Sequence, residues 1–594
     1  MSPGGSGVSG VSFGGKAMAG NVPIVGAAIQ LYAAGTTGNG SAGTALLSAT
    51  LATDDSGSFT VPAGYPCAAN SSQLYVIARG GAVGSGSANS AITLAAAIGT
   101  CGTLTASNHF VLNEVTTAAT AWSLAQFLTD GANIGASATN TQGLANAAAT
   151  LSNLVNLTSG NSPGASFPAN GSSPAAKINS LANLLNTCTS ATTGTACGQL
   201  FSSTTPSGAK APTNTLDAAL NLVRNPGSNV AALYTQSTAS SAFTPVLTTA
   251  PSDWTLFLNY TGGGMSSPTS LGVDSVGNIW VASYSNYGVS PSSVATEFTP
   301  TGSLVFPQGI TLGGFSQSYG LAIDALDDVW ITNEQSPSAV NTGVGSIAVL
   351  NSSGQRVSGT TGYAAGGLNY PAAVAIDTNT DAWIVDYGTS HVTLLSKTGA
   401  PLSGAEGYVT DSFVFPVAVA IDAGHNAWIG DQNDGNVTRV SSDGTQFLKV
   451  ACCDGPSGLA VDQLGNLWVA NFFGNSISEV SSTGAVLSSG FSDNMASIDH
   501  PQGIAIDGSG HVWISNYRGR SITELAGASA ASPGQILSPP AGYAPDASLL
   551  EAYDLAIDAS GNLWVTSFGS NTLTEYVGLA TPVKTPLVGP PQTP

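Results

Sequence analysis

From residue 271 to the C-terminal region, one arrangement of apolar and polar positions returns seven times. An apolar strand ends in Asp, a short polar turn follows, and a second apolar strand carries Trp. The copies read LGVDSVGNIWVA (271–282), LAIDALDDVWIT (321–332), VAIDTNTDAWIV (374–385), VAIDAGHNAWIG (419–430), LAVDQLGNLWVA (459–470), IAIDGSGHVWIS (504–515) and LAIDASGNLWVT (555–566). The Asp/Trp pairs are Asp274/Trp280, Asp324/Trp330, Asp377/Trp383, Asp422/Trp428, Asp462/Trp468, Asp507/Trp513 and Asp558/Trp564. Seven of the nine tryptophans are therefore repeat positions, always six residues after the Asp. A third strand with outward polar residues follows, as in Ile477-Ser478-Glu479-Val480 and Ile522-Thr523-Glu524-Leu525.

The pattern has a local physical reason. An Asp that ends a strand can accept backbone N–H groups in an Asx-type turn, and Gly-Asn or Gly-His after it supplies the positive-φ residue of a tight hairpin. The Trp then offers a large apolar surface for burial between neighbouring units. Successive Asp residues are 50, 53, 45, 40, 45 and 51 positions apart, room for four strands per unit. That period predicts a β-propeller of seven blades over 251–581. Ring closure needs a strand from one terminus, and Trp254 to Tyr260 stands in the right place to complete the last blade. The repeat resembles the NHL and streptogramin-lyase-like propellers, and more loosely the gluconolactonases. Such propellers host binding, scaffolding and catalysis alike.

Ahead of the repeats the period changes. Residues 22–32, 49–61 and 73–79 alternate as strands between turn residues, which predicts a β-sandwich over 1–104 behind a flexible leader at residues 1–20. Gly26 to Leu31, followed by Thr53 to Phe59, resembles the carboxypeptidase-regulatory-like (transthyretin-like) module, a structural or adhesive accessory in exported proteins. Residues 105–250 are rich in Ala, Ser, Thr, Asn and Leu, with helical spacing over 112–128, 141–156, 174–187 and 214–224. They predict a small α-helical middle domain. The overall class is mainly β, closed by a Pro-rich tail at 582–594 expected to be extended.

Composition narrows the functional classes. Only 8% of residues are charged, against about 25% in ordinary soluble domains. With 12 Lys and Arg against 33 Asp and Glu, the net charge of −21 speaks against a nucleic-acid partner, which needs clustered cations. No transmembrane segment is expected, and no signal peptide is read at Met1-Ser2-Pro3. The six cysteines fall into local pairs, Cys67 with Cys101, Cys188 with Cys197, and Cys452 beside Cys453. The first two suit disulfides, while the last could be a vicinal disulfide or two thiols. This points to an extracellular or cell-surface setting.

Candidate chemistry gathers where the loops before the first strand and after the Trp strand share one face. The expected ligand-binding face comprises Asn333, Glu334, Asp386, Asp431, Asn471, Asn516, Arg518 and Tyr553, with aromatic neighbours Tyr319, Tyr370, Tyr387, Phe472, Tyr517 and Phe568, and Asn286 on the first unit. Polar and aromatic groups around a mouth could hold a polar ligand or a divalent cation; the plainer reading is that they make turns and bonds between blades. No cofactor is read, although a channel calcium or magnesium ion stays open. The resemblance to streptogramin lyases implies a magnesium-dependent His and Glu pair. His500 with Glu551 is the one candidate set, since His425 and His511 fall in hairpin turns on the other face. The seven repeat aspartates and their tryptophans read as structural. The sequence thus favours a non-enzymatic, exported binding or structural protein. Its partners would be itself, as a homo-oligomer, filament or surface layer, or another surface protein or glycan. The alternative is a metal-dependent lyase or lactonase.

Overall fold

The computed structural model describes residues 8–191, 194–284, 294–311, 316–335, 344–492, 497–545 and 549–594. Asn286 and residues 1–7 lie outside the described residues. The chain is mainly β, with antiparallel sheets predominating and six α-helices among the described residues. It forms two compact units. One is built from residues 1–258 with Ser560–Asn562 and Tyr576–Leu579, the other from Asn259–Ala559, Leu563–Glu575 and Ala580–Pro594.

In the first unit, two five-stranded sheets enclose an apolar core. Strand Phe13–Ala19 alternates buried and half-buried positions, with Phe13 and Ala17 inside, so it behaves as a strand with one face on the core. The flexible leader expected over 1–20 is therefore corrected for its second half: Val8–Ser9 and Phe13–Ala19 are paired strands. The turn at Thr53–Phe59 closes as its residues demand. Asp54 accepts the N–H groups of Ser56 and Ser58, and Gly57 takes φ 73°. Helices α1 (Glu114–Ser123), α2 (Thr141–Leu154), α3 (Ala175–Thr189), α4 (Gly194–Ser203), α5 (Thr215–Arg224) and α6 (Val230–Ser237) follow. Helices α4 and α6 carry too few periodic apolar residues to have been expected. Helix α1 is buried along its whole length, capped by Asn113. Its Glu114 carboxylate accepts bonds from Gly20 N–H, Asn186 and Thr189, and burial holds its pKa above the usual range. Disulfides join Cys67 to Cys101, Cys188 to Cys197 and, in the second unit, Cys452 to Cys453.

In the second unit each Asp–Trp repeat occupies its own antiparallel sheet. The first repeat places Pro268–Val273, Ile279–Ser283 and Val294–Phe298 side by side; the third places Pro371–Ile376, Ala382–Asp386 and His391–Leu395. Each inner strand packs on the next, and the last returns to the first. There Ser270 Oγ donates to Asp554 over 2.8 Å, and the ring of a β-propeller is closed. Strand Phe257–Tyr260 joins Thr572–Tyr576 in the seventh sheet, as closure required, with Tyr260 Oη bonded to Glu575 (2.8 Å) and Thr574 Oγ1 to Asn259 (2.7 Å).

The six-residue spacing of Asp and Trp is now explicable. In the first six repeats, Oδ1 of Asp274, Asp324, Asp377, Asp422, Asp462 and Asp507 accepts the N–H groups two and four residues ahead, at 2.7–3.1 Å. The expectation gave the tryptophans packing alone, and here the structure corrects it. Trp280, Trp330, Trp468, Trp513 and Trp564 also donate their indole N–H to Oδ2 of Asp274, Asp324, Asp462, Asp507 and Asp558, at 2.9–3.4 Å. Trp383 and Trp428 are buried without such a bond. The left-handed turn residue is Gly in four copies, but Asp327, Thr380 and His425 hold φ 62–66° in the others.

All seven repeat Trp rings are buried, and none borders the mouth of the ring. Trp280 lies against Leu321, Ile323 and Ile331 of the next copy, and Trp330 against Val374, Ile376 and Ile384 of the one after. Trp513 stacks on Tyr543 at 5.6 Å and Trp564 on Tyr260 at 5.9 Å. Trp468 likewise stacks on Phe491 at 5.6 Å, and Trp330 and Trp383 meet Tyr363 and Tyr408 at a tilt.

Candidate functional site

The start of every inner strand and the end of every Trp strand lie at the end of the ring opposite the Asp turns. A cavity of about 380 Å³ opens there. Its walls include the rings of Tyr319, Tyr387, Phe415 and Tyr553, the amides of Gln432 and Gln502, and the carboxyls of Glu334 and Asp554. Below it a second space of about 250 Å³ runs between the aliphatic side chains of the inner strands. Leu321, Val374, Leu459, Ile504 and Asp554 border both. The Pro-rich tail, expected to be extended, folds back on itself through Lys584 N–H to Gln592 O (2.8 Å). Thr581 N–H donates to Asp507 and Thr585 Oγ1 to the carbonyl of Asp274 (2.8 Å). Val583, Leu587 and Pro591 thereby line the turn end of the channel.

The aromatic groups at the mouth form two sets, one around Tyr319 and Tyr553 and one around Tyr387. Tyr319 and Tyr553 meet edge to face at 5.9 Å with their hydroxyls bonded to each other, and Tyr387 lies 5.0 Å from Phe415. Tyr284 and Phe568 back them, and Tyr517 and Phe472 continue the belt. Tyr370 stacks obliquely on Tyr387 at 5.4 Å. Burial pushes the Glu334 carboxyl up to about 7, opposed by the hydroxyl of Tyr387. Burial also raises Asp554 to about 6, opposed by Ser270 and by the N–H groups of Leu555 and Leu271. The phenols of Tyr319, Tyr387 and Tyr553 are raised too, through burial first and then their acidic and phenolic neighbours.

Five of the residues expected on the ligand-binding face do something else. Asn333, Asp386, Asp431, Asn471 and Asn516 share one repeat position, nine after the turn Asp, and all are fully buried. Four of them accept an N–H group from seventeen residues earlier, at 3.0–3.3 Å. The same side chains bond a hydroxyl seven residues later, on Thr393, Thr438, Ser478 and Thr523. Asn333 is held by Ser318 Oγ at 2.6 Å. These side chains clasp a mouth loop to its own sheet. Burial drives Asp386 up to about 8 and Asp431 up to about 7. Arg518 is exposed beside Tyr517. Glu334 and Tyr553 line the cavity.

His500 and Glu551 are not brought together as a catalytic pair. Both stand seven residues before the turn Asp, where every repeat has positive φ: Ser267, Gln317, Tyr370, Phe415, Gly455, His500 and Glu551. His500 Nδ1 lies 2.7 Å from Asp499, its ring edge-on to Phe472 at 4.9 Å. Glu551 bonds the hydroxyl of Tyr517. Neither borders the cavity. Among the described residues no group of three or more His, Cys, Asp and Glu is placed to hold a metal ion; the cavity presents two carboxyls. Sequence reasoning missed Phe415, Gln432, Gln502 and Asp554. Their signal, a position within one to three residues of a repeat boundary, is legible only once the repeats are aligned.

No protein-family model matches the chain, and no curated protein matches it. Among solved structures it is similar to virginiamycin B lyase from Staphylococcus aureus, at 13% identity over 54% of this chain and 98% of that one, TM-score 0.41. It is also similar to XC5397, a gluconolactonase from Xanthomonas campestris, at 15% identity over 50% and 93% of the two chains, TM-score 0.32. A chain of a nidogen/laminin complex matches at 15% identity over 45% and 90%, TM-score 0.31.

Proposed function

We propose that this chain is an exported binding protein of the cell surface or extracellular space. In this reading a seven-bladed propeller, carried with a carboxypeptidase-regulatory-like sandwich and a helical segment, takes a ligand at its mouth without transforming it. The observation that carries it is the cavity walled by Tyr319, Tyr387, Phe415 and Tyr553, with the Gln432 and Gln502 amides and the Glu334 and Asp554 carboxyls among them. Aromatic walls with convergent polar groups are typical of small-molecule sites. Three disulfides support an oxidising compartment. The test is saturation-transfer NMR with a panel of neutral sugars, amines and carboxylates on wild type and on Gln502→Trp, which fills the cavity. The reading expects at least one compound to bind wild type and to lose its signal in the variant. Equal signals from both proteins would count against it.

A second reading, a metal-dependent lyase or lactonase, draws support from Glu334, whose carboxyl at about 7 is tuned as a general base requires. It expects wild type to turn over a lactone panel and Glu334→Gln to abolish that turnover. His500→Gly separates the two readings further. Glycine is at ease at φ 52°, so the binding reading expects stability to change by less than about 1 kcal/mol with ligand binding intact. A catalytic His500 would lose turnover instead.

A further inference from the structure

We infer that the mouth cavity selects an organic cation, a primary amine or quaternary ammonium group, held between the tyrosine rings and the Glu334 and Asp554 carboxylates. The inference rests on reading the mouth as a binding site and names the ligand class of that site. Four aromatic rings and two carboxyls face one space of about 380 Å³, and no Lys, Arg or His among the described residues borders it. Tyr387 donates to Glu334, and Ser270 Oγ donates to Asp554 at 2.8 Å. Hydrogen-bond donors thus orient both acids, but no cation of the described cavity wall neutralises them.

An ammonium group answers both features at once. Its charge is attracted to ring faces, worth about 0.5–2 kcal/mol per contact depending on desolvation, and a carboxylate nearby completes the pair. Burial already strains the ionised acids, as their raised values near 7 and 6 attest, and a bound cation would relieve that strain. A metal ion is less suited, because calcium takes roughly 6–8 oxygen ligands and the wall offers two carboxyls beside a few amides and hydroxyls. An anion would meet both acids. A neutral sugar could stack on the rings and donate hydroxyls to the acids, but would leave their charge unneutralised. The chain's net charge of −21 favours the encounter of any cation with the protein.

Isothermal titration of the full chain at pH 8 with choline and with its neutral isostere 3,3-dimethylbutan-1-ol tests this, with calcium and glucose as further titrants. Choline should bind wild type at least about tenfold more tightly than the isostere. Glu334→Gln and Asp554→Asn, each checked to unfold cooperatively and at no lower temperature than wild type, should each weaken choline severalfold and leave the isostere unchanged. Tyr553→Leu should weaken both. Equal affinity for choline and isostere, or a tight calcium site lost in Glu334→Gln, would overturn the organic cation. Isostere or glucose binding that Gln502→Trp abolishes would then leave the mouth standing as a site for neutral ligands. No heat from any titrant would count against the cation and the binding site together.

Discussion

Nine residues after each turn Asp, the chain has run its own substitution series. Asn occupies the position in three repeats, at 333, 471 and 516, and Asp in two, at 386 and 431. With Asn, the side-chain amide donates to the facing hydroxyl, and that hydroxyl is free to donate onward to a carbonyl, as Ser478 does to Ser489 O at 3.0 Å. With an ionised Asp, Thr393 must choose between Asp386 at 2.9 Å and the carbonyl of Gly366 at 2.8 Å. A protonated Asp386 restores the Asn pattern, which agrees with its value near 8. Because the folded state holds this proton more tightly than the unfolded chain, its stabilising effect is complete at low pH and is lost as pH rises through about 8. Asp386→Asn should therefore stabilise the protein more at pH 9 than at pH 5, by on the order of a few kcal/mol at about 1.4 kcal/mol per pKa unit. Urea unfolding at both pH values checks this; destabilisation of the variant at pH 9 would refute it.

The strand and its turn are the elements the sequence makes most legible. Asp and Trp recur because one buried ring and one turn are needed in each copy, and sevenfold repetition separates them from chance. What the spacing does not disclose is the indole bond, present at Trp330, Trp513 and Trp564 and missing at Trp383 and Trp428. The mouth is less legible still. Tyr553 and Asp554 lie where the register between Ala552–Ile557 and Leu563–Ser567 shifts, and such an irregularity redirects side chains without leaving a mark in composition. The clasps read as surface groups because Asn and Asp after a strand ordinarily mark an exposed loop. Within the Trp strands a graded comparison follows. Trp468 donates to Asp462 at 3.0 Å, whereas Trp428 finds no acceptor. Trp468→Phe should then cost about 1 kcal/mol more than Trp428→Phe, read from the unfolding midpoints of the two variants. Equal costs would mean that the Asp–Trp bond contributes nothing beyond packing.

At the scale of the whole molecule, scarce charge is also displaced charge. Burial raises Asp386 to about 8, Asp431, Glu334 and Glu297 to about 7, and Asp554 to about 6. Each folded-state value lies above that of the unfolded chain, so each acid contributes stability below its unfolded value that is lost as pH climbs through the folded one. The melting temperature should accordingly fall between pH 5 and pH 9, and a rise over that range, followed calorimetrically, would contradict the assignment. Association with copies of itself, which the charge-poor surface permits, is best sought by electron microscopy of the intact chain. Removing residues 1–20 would take Phe13 and Ala17 out of the apolar core of the first unit and so confound assembly with folding.

The proposed binding function puts the ligand in the aromatic-walled mouth. The most direct measurement is a crystal structure of the full chain soaked with choline. Density for the ammonium group is expected inside the cavity, against Tyr319 and Tyr553 and within reach of the Glu334 carboxylate. Choline bound elsewhere on the propeller, with the cavity holding only ordered water, would contradict it.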